Sequence, residues 1–288
     1  MAFSFLVTLR EGVEMALIVA ILLGYLRSIG QRRHFRNVWA GVGLAAAICI
    51  AIGTGLELAS KELDERVVEA FEGFAMIFAV LVLTGMAVWM RRQAAGISAE
   101  LKHQVDAAIG KGSVTAIVLL AATSVGREGL ETVLFLFAGA SNSVSGPQYV
   151  VGGLLGFAVA AAIGTGIYQG TTRLPLRPFF LLSGLLLLVL AAGLLANSVT
   201  KLYEAAIISD LGSRPWDTES LISITSTEGK FLGTLLGYDS APSLTQIALY
   251  WGYIVPAALL FLASPGWPRR PARSQATAAV PPSSSTVS

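Results

Sequence analysis

The chain is poor in charge and nearly devoid of soft metal ligands. Asp, Glu, Lys and Arg make up 13% of its 288 residues, against about 25% in soluble proteins, which excludes an ordinary soluble domain. There is one cysteine, Cys49, so neither a disulfide within the chain nor a thiolate metal cluster is available. Its apolar surroundings make it a small buried hydrophobe. The only histidines, His34 and His103, sit in basic segments, which argues against a His-rich zinc or copper site inside an apolar span. No cleavable signal peptide is expected: Arg10, Glu11 and Glu14 interrupt the first apolar run, and no small-residue cleavage site follows.

What is abundant is apolar sequence, 54% of residues, with a mean hydropathy of +0.69. Seven runs, near residues 3–26, 38–59, 71–90, 113–139, 149–170, 178–200 and 244–263, reach the roughly 20 residues that cross a bilayer as a helix. They lack the alternation of barrel strands, and helices satisfy their own backbone groups in lipid. The expected fold is an all-α integral membrane protein in contact with membrane lipid.

Basic residues collect in alternate loops. Arg27, Arg32, Arg33 and Arg36 follow the first run, and Arg91, Arg92, Lys102 and Lys111 follow the third. Arg173 and Arg177 follow the fifth, and Arg269, Arg270 and Arg273 lie in the tail. The positive-inside rule places these loops in the cytoplasm, the N-terminus outside and the C-terminus inside, in an inner or plasma membrane. These clusters are read as topology signals, so no nucleic-acid partner is expected.

The chain also repeats. Arg10-Glu11-Gly12-Val13-Glu14 returns as Arg127-Glu128-Gly129-Leu130-Glu131, 117 residues later, and Ile52-Gly53-Thr54-Gly55 returns as Ile163-Gly164-Thr165-Gly166, 111 later. Spans 1–3 thus match spans 4–6. Because three is odd, the second copy is inverted, a transporter hallmark that puts the site at the repeat interface. The expected organisation is seven transmembrane helices built as a 3+3 inverted repeat plus one extra helix. Residues 1–90 form the first repeat, 113–200 the second, 201–243 an outer loop and 244–263 the seventh helix. Residues 264–288, rich in Pro, Ser, Ala and Thr, form a disordered cytoplasmic tail. The part of the outer loop around Trp216 to Leu236 is amphipathic and suits the membrane surface. The spacings Gly152/Gly156 and Gly166/Gly170 suit helix packing.

The doubled R-E-G-x-E motif carries the chemistry. A charge inside a span costs roughly 2.5–3.5 kcal/mol on insertion scales and defaults to function. Residues three apart on a helix are about 60° apart around the axis, so Glu11 shares a face with Glu14, and Glu128 with Glu131. Arg10 and Arg127 stand four before Glu14 and Glu131, within reach, and Gly12 and Gly129 remove bulk so that a helix or an ion approaches. Four glutamates against two arginines leave an excess of two negative charges, which invites a cation. Carboxylate oxygens suit hard or borderline ions; ferric iron is the hardest common candidate, with ferrous iron, manganese, calcium and protons open. Glu57 and Glu72, at the outer ends of spans 2 and 3, are candidates for an acidic rim that gathers cations.

With this doubled motif, the Glu72-Gly73 opening of span 3, the run from Leu83-Thr84-Gly85-Met86 to Trp89-Met90 and the region from Gly237-Tyr238 to Tyr250-Trp251-Gly252-Tyr253, the chain resembles the oxidase-dependent iron permeases, fungal high-affinity and bacterial EfeU-type. The resemblance covers roughly residues 1–263. It implies iron as transported substrate, no permanently bound cofactor and no enzymatic activity. It puts metal binding on Glu11, Glu14, Glu128 and Glu131, and implies an extracellular or periplasmic iron oxidase or iron-binding protein as partner. The alternatives are a carrier of another divalent cation such as manganese or ferrous iron, and an intramembrane carboxylate metalloenzyme. Di-iron bundle sites use Glu-x-x-His, and here the position three after Glu11 and Glu128 is glutamate.

Overall fold

The computed structural model describes residues 1–62, 64–93, 97–110, 113–140, 146–170, 176–224 and 226–263. The expected disordered tail, 264–288, lies outside the described residues, as do Lys111 and Arg173 of the basic loops. Among the described residues the fold is helical throughout, without strands. The helices are α1 (Ala2–Ser28), α2 (Phe35–Glu62, preceded by a 3-10 turn Arg32–His34), α3 (Glu65–Gln93), α4 (Ile97–Gly110), α5 (Val114–Ala140), α6 (Gly146–Gln169), α7 (Leu176–Glu204), α8 (Thr227–Leu236) and α9 (Leu244–Ala263).

Among the described residues, five helices are long and apolar enough to cross a membrane: Arg32–Ser60, Glu65–Trp89, Gly146–Gln169, Leu181–Glu204 and Leu244–Ala263. The other two long helices, α1 and α5, have 27 residues each and carry the motif charges. Local sequence sets several helix ends. Gly30, at φ +76°, turns the chain out of α1, and Gln31 N–H donates to the Leu26 carbonyl at 2.8 Å. A capping box starts α9: Ser243 N–H donates to the Gln246 side chain at 2.8 Å and Gln246 N–H donates to Ser243 Oγ at 3.2 Å, so each residue satisfies the other's free donor.

Helix pairing is ordered. Ser4, Gly12 and Ala16 of α1 meet Gly152, Ala160 and Gly164 of α6 in ascending order, so these helices run parallel. Gly41, Cys49 and Gly53 of α2 meet Ala121, Gly129 and Val133 of α5 in the same way. α1 and α5 run antiparallel: Phe3 lies against Gly139 at one end, and Leu22 and Leu26 share a cluster with Ile117 at the other. α3 and α7 are antiparallel as well, with Gly73 against Leu202 and Ala87 clustered with Leu188. α9 packs on α7 and α3, and Tyr253 pairs through its hydroxyl with Thr84 at 2.6 Å.

Two apolar cores flank the motifs, beside a smaller third cluster of Ala87, Leu188, Ala257 and Phe261. One gathers Phe3, Val7, Met76, Leu83, Phe135 and Leu190. The other gathers Leu22, Leu26, Val38, Val105, Ile117 and Ala121. The motif residues lie between them, since Arg10–Glu14 follow Val7 and precede Leu22, and Arg127–Glu131 follow Ala121 and precede Phe135.

Two local expectations are corrected. The segment after α3, read as a basic loop, contains α4, whose Leu101, Val105 and Ala108 face the second core. In the outer loop the helix is confined to α8, and its C-cap Gly237, at φ +69°, is seated backbone to backbone on Gly193 of α7. Trp216, Leu221 and Leu236 of this segment stay exposed. Gly152 and Gly156 do pack, against α1. Gly170, however, ends α6 at φ +72° with nothing among the described residues within 4 Å of a side chain there, because its role is to turn the chain.

Candidate metal site

The antiparallel crossing of α1 and α5 brings the two motif copies together. Carboxylate oxygens of Glu11, Glu128 and Glu131 all lie within 4.8 Å of one another. Glu11, Glu14 and Glu128 are buried, and the side chain of Glu131 is 14% exposed. The fourth carboxylate, Glu14, joins this layer through Arg10.

The arginines act as expected, with one addition. Arg10 reaches Glu14, four residues on, at 3.3 Å, and Arg127 reaches Glu131 at 3.1 Å. Arg10 also donates to its neighbour Glu11 at 2.6 Å. The copies differ in exposure: the Arg10 side chain is 3% exposed and that of Arg127 54%. Each arginine precedes its glutamates on helices that run in opposite directions, so the two cations flank the carboxylate layer from opposite sides.

The glycines of the motif sit at helix contacts. A Cβ on Gly12 would stand 2.7 Å from Ala160 Cβ, and one on Gly129 would stand 2.6 Å from Cys49 Sγ. Only glycine lets α6 and α2 pass this close to the motif.

Within this layer Glu11 Oε2, Glu128 Oε2, Glu131 Oε2 and Arg10 Nε are buried without a hydrogen-bond partner among the described residues, and Glu14 Oε1, equally buried, has the Arg10 guanidinium at 3.3 Å. Buried carboxylate oxygens are normally paired, because each one left unpaired costs about 1–3 kcal/mol or more. Three such oxygens, with Glu14 Oε1 beside them, make an anionic, oxygen-only cage on two crossing helices between two apolar cores. That donor set suits a hard cation.

Glu57 and Glu72 stand apart from this layer. Glu72 lies 14 residues before Met86 on α3, about 21 Å along the helix, and Met86 is the residue of α3 that touches Arg10. Lys201 ties Glu72 at 3.4 Å, together with Glu69 at 3.8 Å and Glu204 at 3.2 Å. Glu57 is exposed, eight residues beyond Cys49 on α2, about 12 Å past the level of Gly129.

Two residues that sequence reasoning missed hold the arginines. Met86 Sδ accepts from Arg10 Nη1 at 3.2 Å, and the Arg127 guanidinium lies 4.9 Å from the Trp89 ring centroid. Met86 and Trp89 are three apart and share one face of α3, so a single helix contacts both motif copies. Their helical spacing was visible; their partners, 76 and 38 residues away, were not.

Long apolar helices packed in pairs around a buried cluster of glutamate and arginine define a multi-pass membrane protein of the transporter type. The model of the iron permease FTR1 family matches residues 1–267, and the chain belongs to that family. It is 35% identical over 263 residues to the ferrous iron permease EfeU of Yersinia pestis, covering 91% of this chain and 93% of that protein. It is equally similar, 35% over 263 residues, to the ferrous iron permease EfeU of Escherichia coli O157:H7, of which it covers 95%. No solved structure matches.

Proposed function

We propose that the chain is a permease that imports iron across an inner or plasma membrane through Glu11, Glu14, Glu128 and Glu131. The observation that carries this reading is the meeting of three carboxylates from two antiparallel helices within 4.8 Å, in a family of iron permeases. Arg10 and Arg127 hold the empty carboxylates and limit their mutual repulsion. An arriving cation takes over that role and displaces each arginine in turn, one from either side of the layer. Glu57 and Glu72 serve the outer rim, away from the central layer. Transport, not catalysis, is the task of such a site.

Seven spans in a 3+3 inverted repeat plus α9 form the scaffold of this reading, with residues 1–90 and 113–200 as repeats, 201–243 outside, the N-terminus outside and the tail cytoplasmic. The packing supports it. Position 160 in the second repeat corresponds to 49 in the first at the 111-residue offset, and 129 corresponds to 12 at the 117-residue offset. Gly12 on Ala160 and Gly129 on Cys49 are therefore the same contact made twice. Ala16 on Gly164 corresponds likewise to Val133 on Gly53. Two halves related in this way can rock to expose the layer alternately to either side.

The oxygen-only donor set suits ferric iron, supplied by an oxidase or iron-binding protein outside the membrane, whereas the relatives are named as ferrous iron permeases. Uptake of radiolabelled iron into proteoliposomes separates the two species. Iron is offered as ferric citrate or kept ferrous with ascorbate, with manganese and calcium as competitors. The proposal expects saturable iron uptake that excess manganese and calcium leave largely intact. Uptake of manganese or calcium without iron would keep the permease and overturn its substrate.

A further inference from the structure

A groove of about 630 Å³ runs between α1, α2 and α6 on a face that the glutamates do not line. Its walls are apolar: Val19 and Leu23 of α1, Phe35 and Trp39 of α2, Ala161 and Tyr168 of α6. It extends along α1 from Leu23 to Gly12, eleven residues or about 16 Å. That is half of the roughly 30 Å hydrocarbon core of a bilayer, the depth of one leaflet's acyl chain.

The mouth of the groove is basic. Arg32 and Arg36 stand with Phe35 and Trp39 at positions i, i+4, i+3 and i+7, a single face of the 3-10 turn and the helix that continues it. Arg27 stands on α1 four residues beyond Leu23, the last residue of α1 in the groove wall. All three arginines are exposed, and none has a side-chain hydrogen bond or ion pair among the described residues. Residues 15–56 contain no Asp or Glu, and α6 contains no charged residue at all. Asp106 of α4, the nearby carboxylate on this end of α1, already accepts from Tyr25 Oη at 2.6 Å.

We infer that this groove binds an anionic phospholipid, one acyl chain along α1 and the phosphate among Arg27, Arg32 and Arg36. Basic pockets between membrane helices are recognised head-group sites, and here an apolar slot of one-leaflet depth continues from the basic mouth. The far end of the chain lies against Gly12, so the lipid packs directly behind the first motif copy. This site is independent of what the glutamates carry.

Trp39 lines the groove and reports on it. The full chain is reconstituted in mixed bilayers with a minor fraction of lipid carrying brominated acyl chains, which quench tryptophan on contact. The Trp39 signal is the difference between the wild type and Trp39→Phe. At equal mole fraction, brominated phosphatidylglycerol is expected to outcompete brominated phosphatidylcholine at Trp39 by about five-fold or more, the factor one arginine supplies near an anionic head group. The double substitution Arg32→Gln/Arg36→Gln erases the preference while leaving quenching by the neutral lipid unchanged. Ala161→Phe, which fills the slot, reduces quenching by both lipids. Equal quenching of the wild type by the two lipids would reduce the groove to ordinary lipid contact and overturn the site. A Trp39 shielded from both lipids would overturn it too, in favour of a second copy of the chain on this face. A preference that inorganic phosphate abolishes would assign the arginines to a soluble anion and likewise contradict it.

Discussion

At the scale of single residues, the two arginines of the repeated motif are chemically alike and physically different. Arg10 is buried beside Glu11 and Glu14, so removing its charge leaves two carboxylates stranded in an apolar interior. Breaking a buried pair in this way costs about 3–5 kcal/mol. Arg127 is more than half exposed, and an exposed pair contributes about 0–1 kcal/mol. Arg10→Gln is therefore expected to lower the thermal stability of the detergent-purified protein far more than Arg127→Gln, read as the temperature at which half the monodisperse chromatographic peak is lost. Equal losses would contradict the burial described here. The motif residues were legible in the sequence because charge in an apolar run has no cheap explanation and because the cluster occurs twice. Met86 and Trp89 were not, because a thioether and an indole in an apolar helix look like core or lipid contact until the fold brings an arginine to each.

At the scale of helices, the motif glycines are contact points between neighbouring backbones. Gly129→Ala puts a methyl group where Cys49 Sγ already sits, an overpacking worth about 1–3 kcal/mol. Cys49→Ala removes that sulfur, and Cys49 Cβ is 3.7 Å from the new methyl, an ordinary contact. The double variant Gly129→Ala/Cys49→Ala is thus expected to recover the stability that Gly129→Ala loses, while Cys49→Ala does nothing for Gly12→Ala. Rescue of both, or of neither, in thermal-stability measurements would contradict the pairing of α2 with α5. Among the described residues, seven of the nine helices were legible as long apolar runs. α4 was not, since its charged residues masked a short stripe of Leu101, Val105 and Ala108. The Ser243–Gln246 capping box at the start of α9 was readable from spacing alone and went unread.

At the scale of the whole molecule, two apolar cores hold a charged layer between them, and two arginines close that layer from opposite sides. The sequence carries an internal repeat. It did not say which helices touch, because the contacts of α1 with α6 and of α2 with α5 cross between repeats over 148 and 80 residues. Only the fold places a glycine of each motif on the helix of the other half. Exchanging one carboxylate on each helix for its uncharged isostere therefore perturbs the two halves of one site. The central measurement is radiolabelled iron uptake into proteoliposomes by Glu14→Gln and Glu131→Gln as separate variants, each first matched to the wild type in bilayer insertion and monodispersity. Each variant alone is expected to lose iron uptake. Uptake at the wild-type rate in both would make the glutamates structural partners of the arginines and contradict the proposed path.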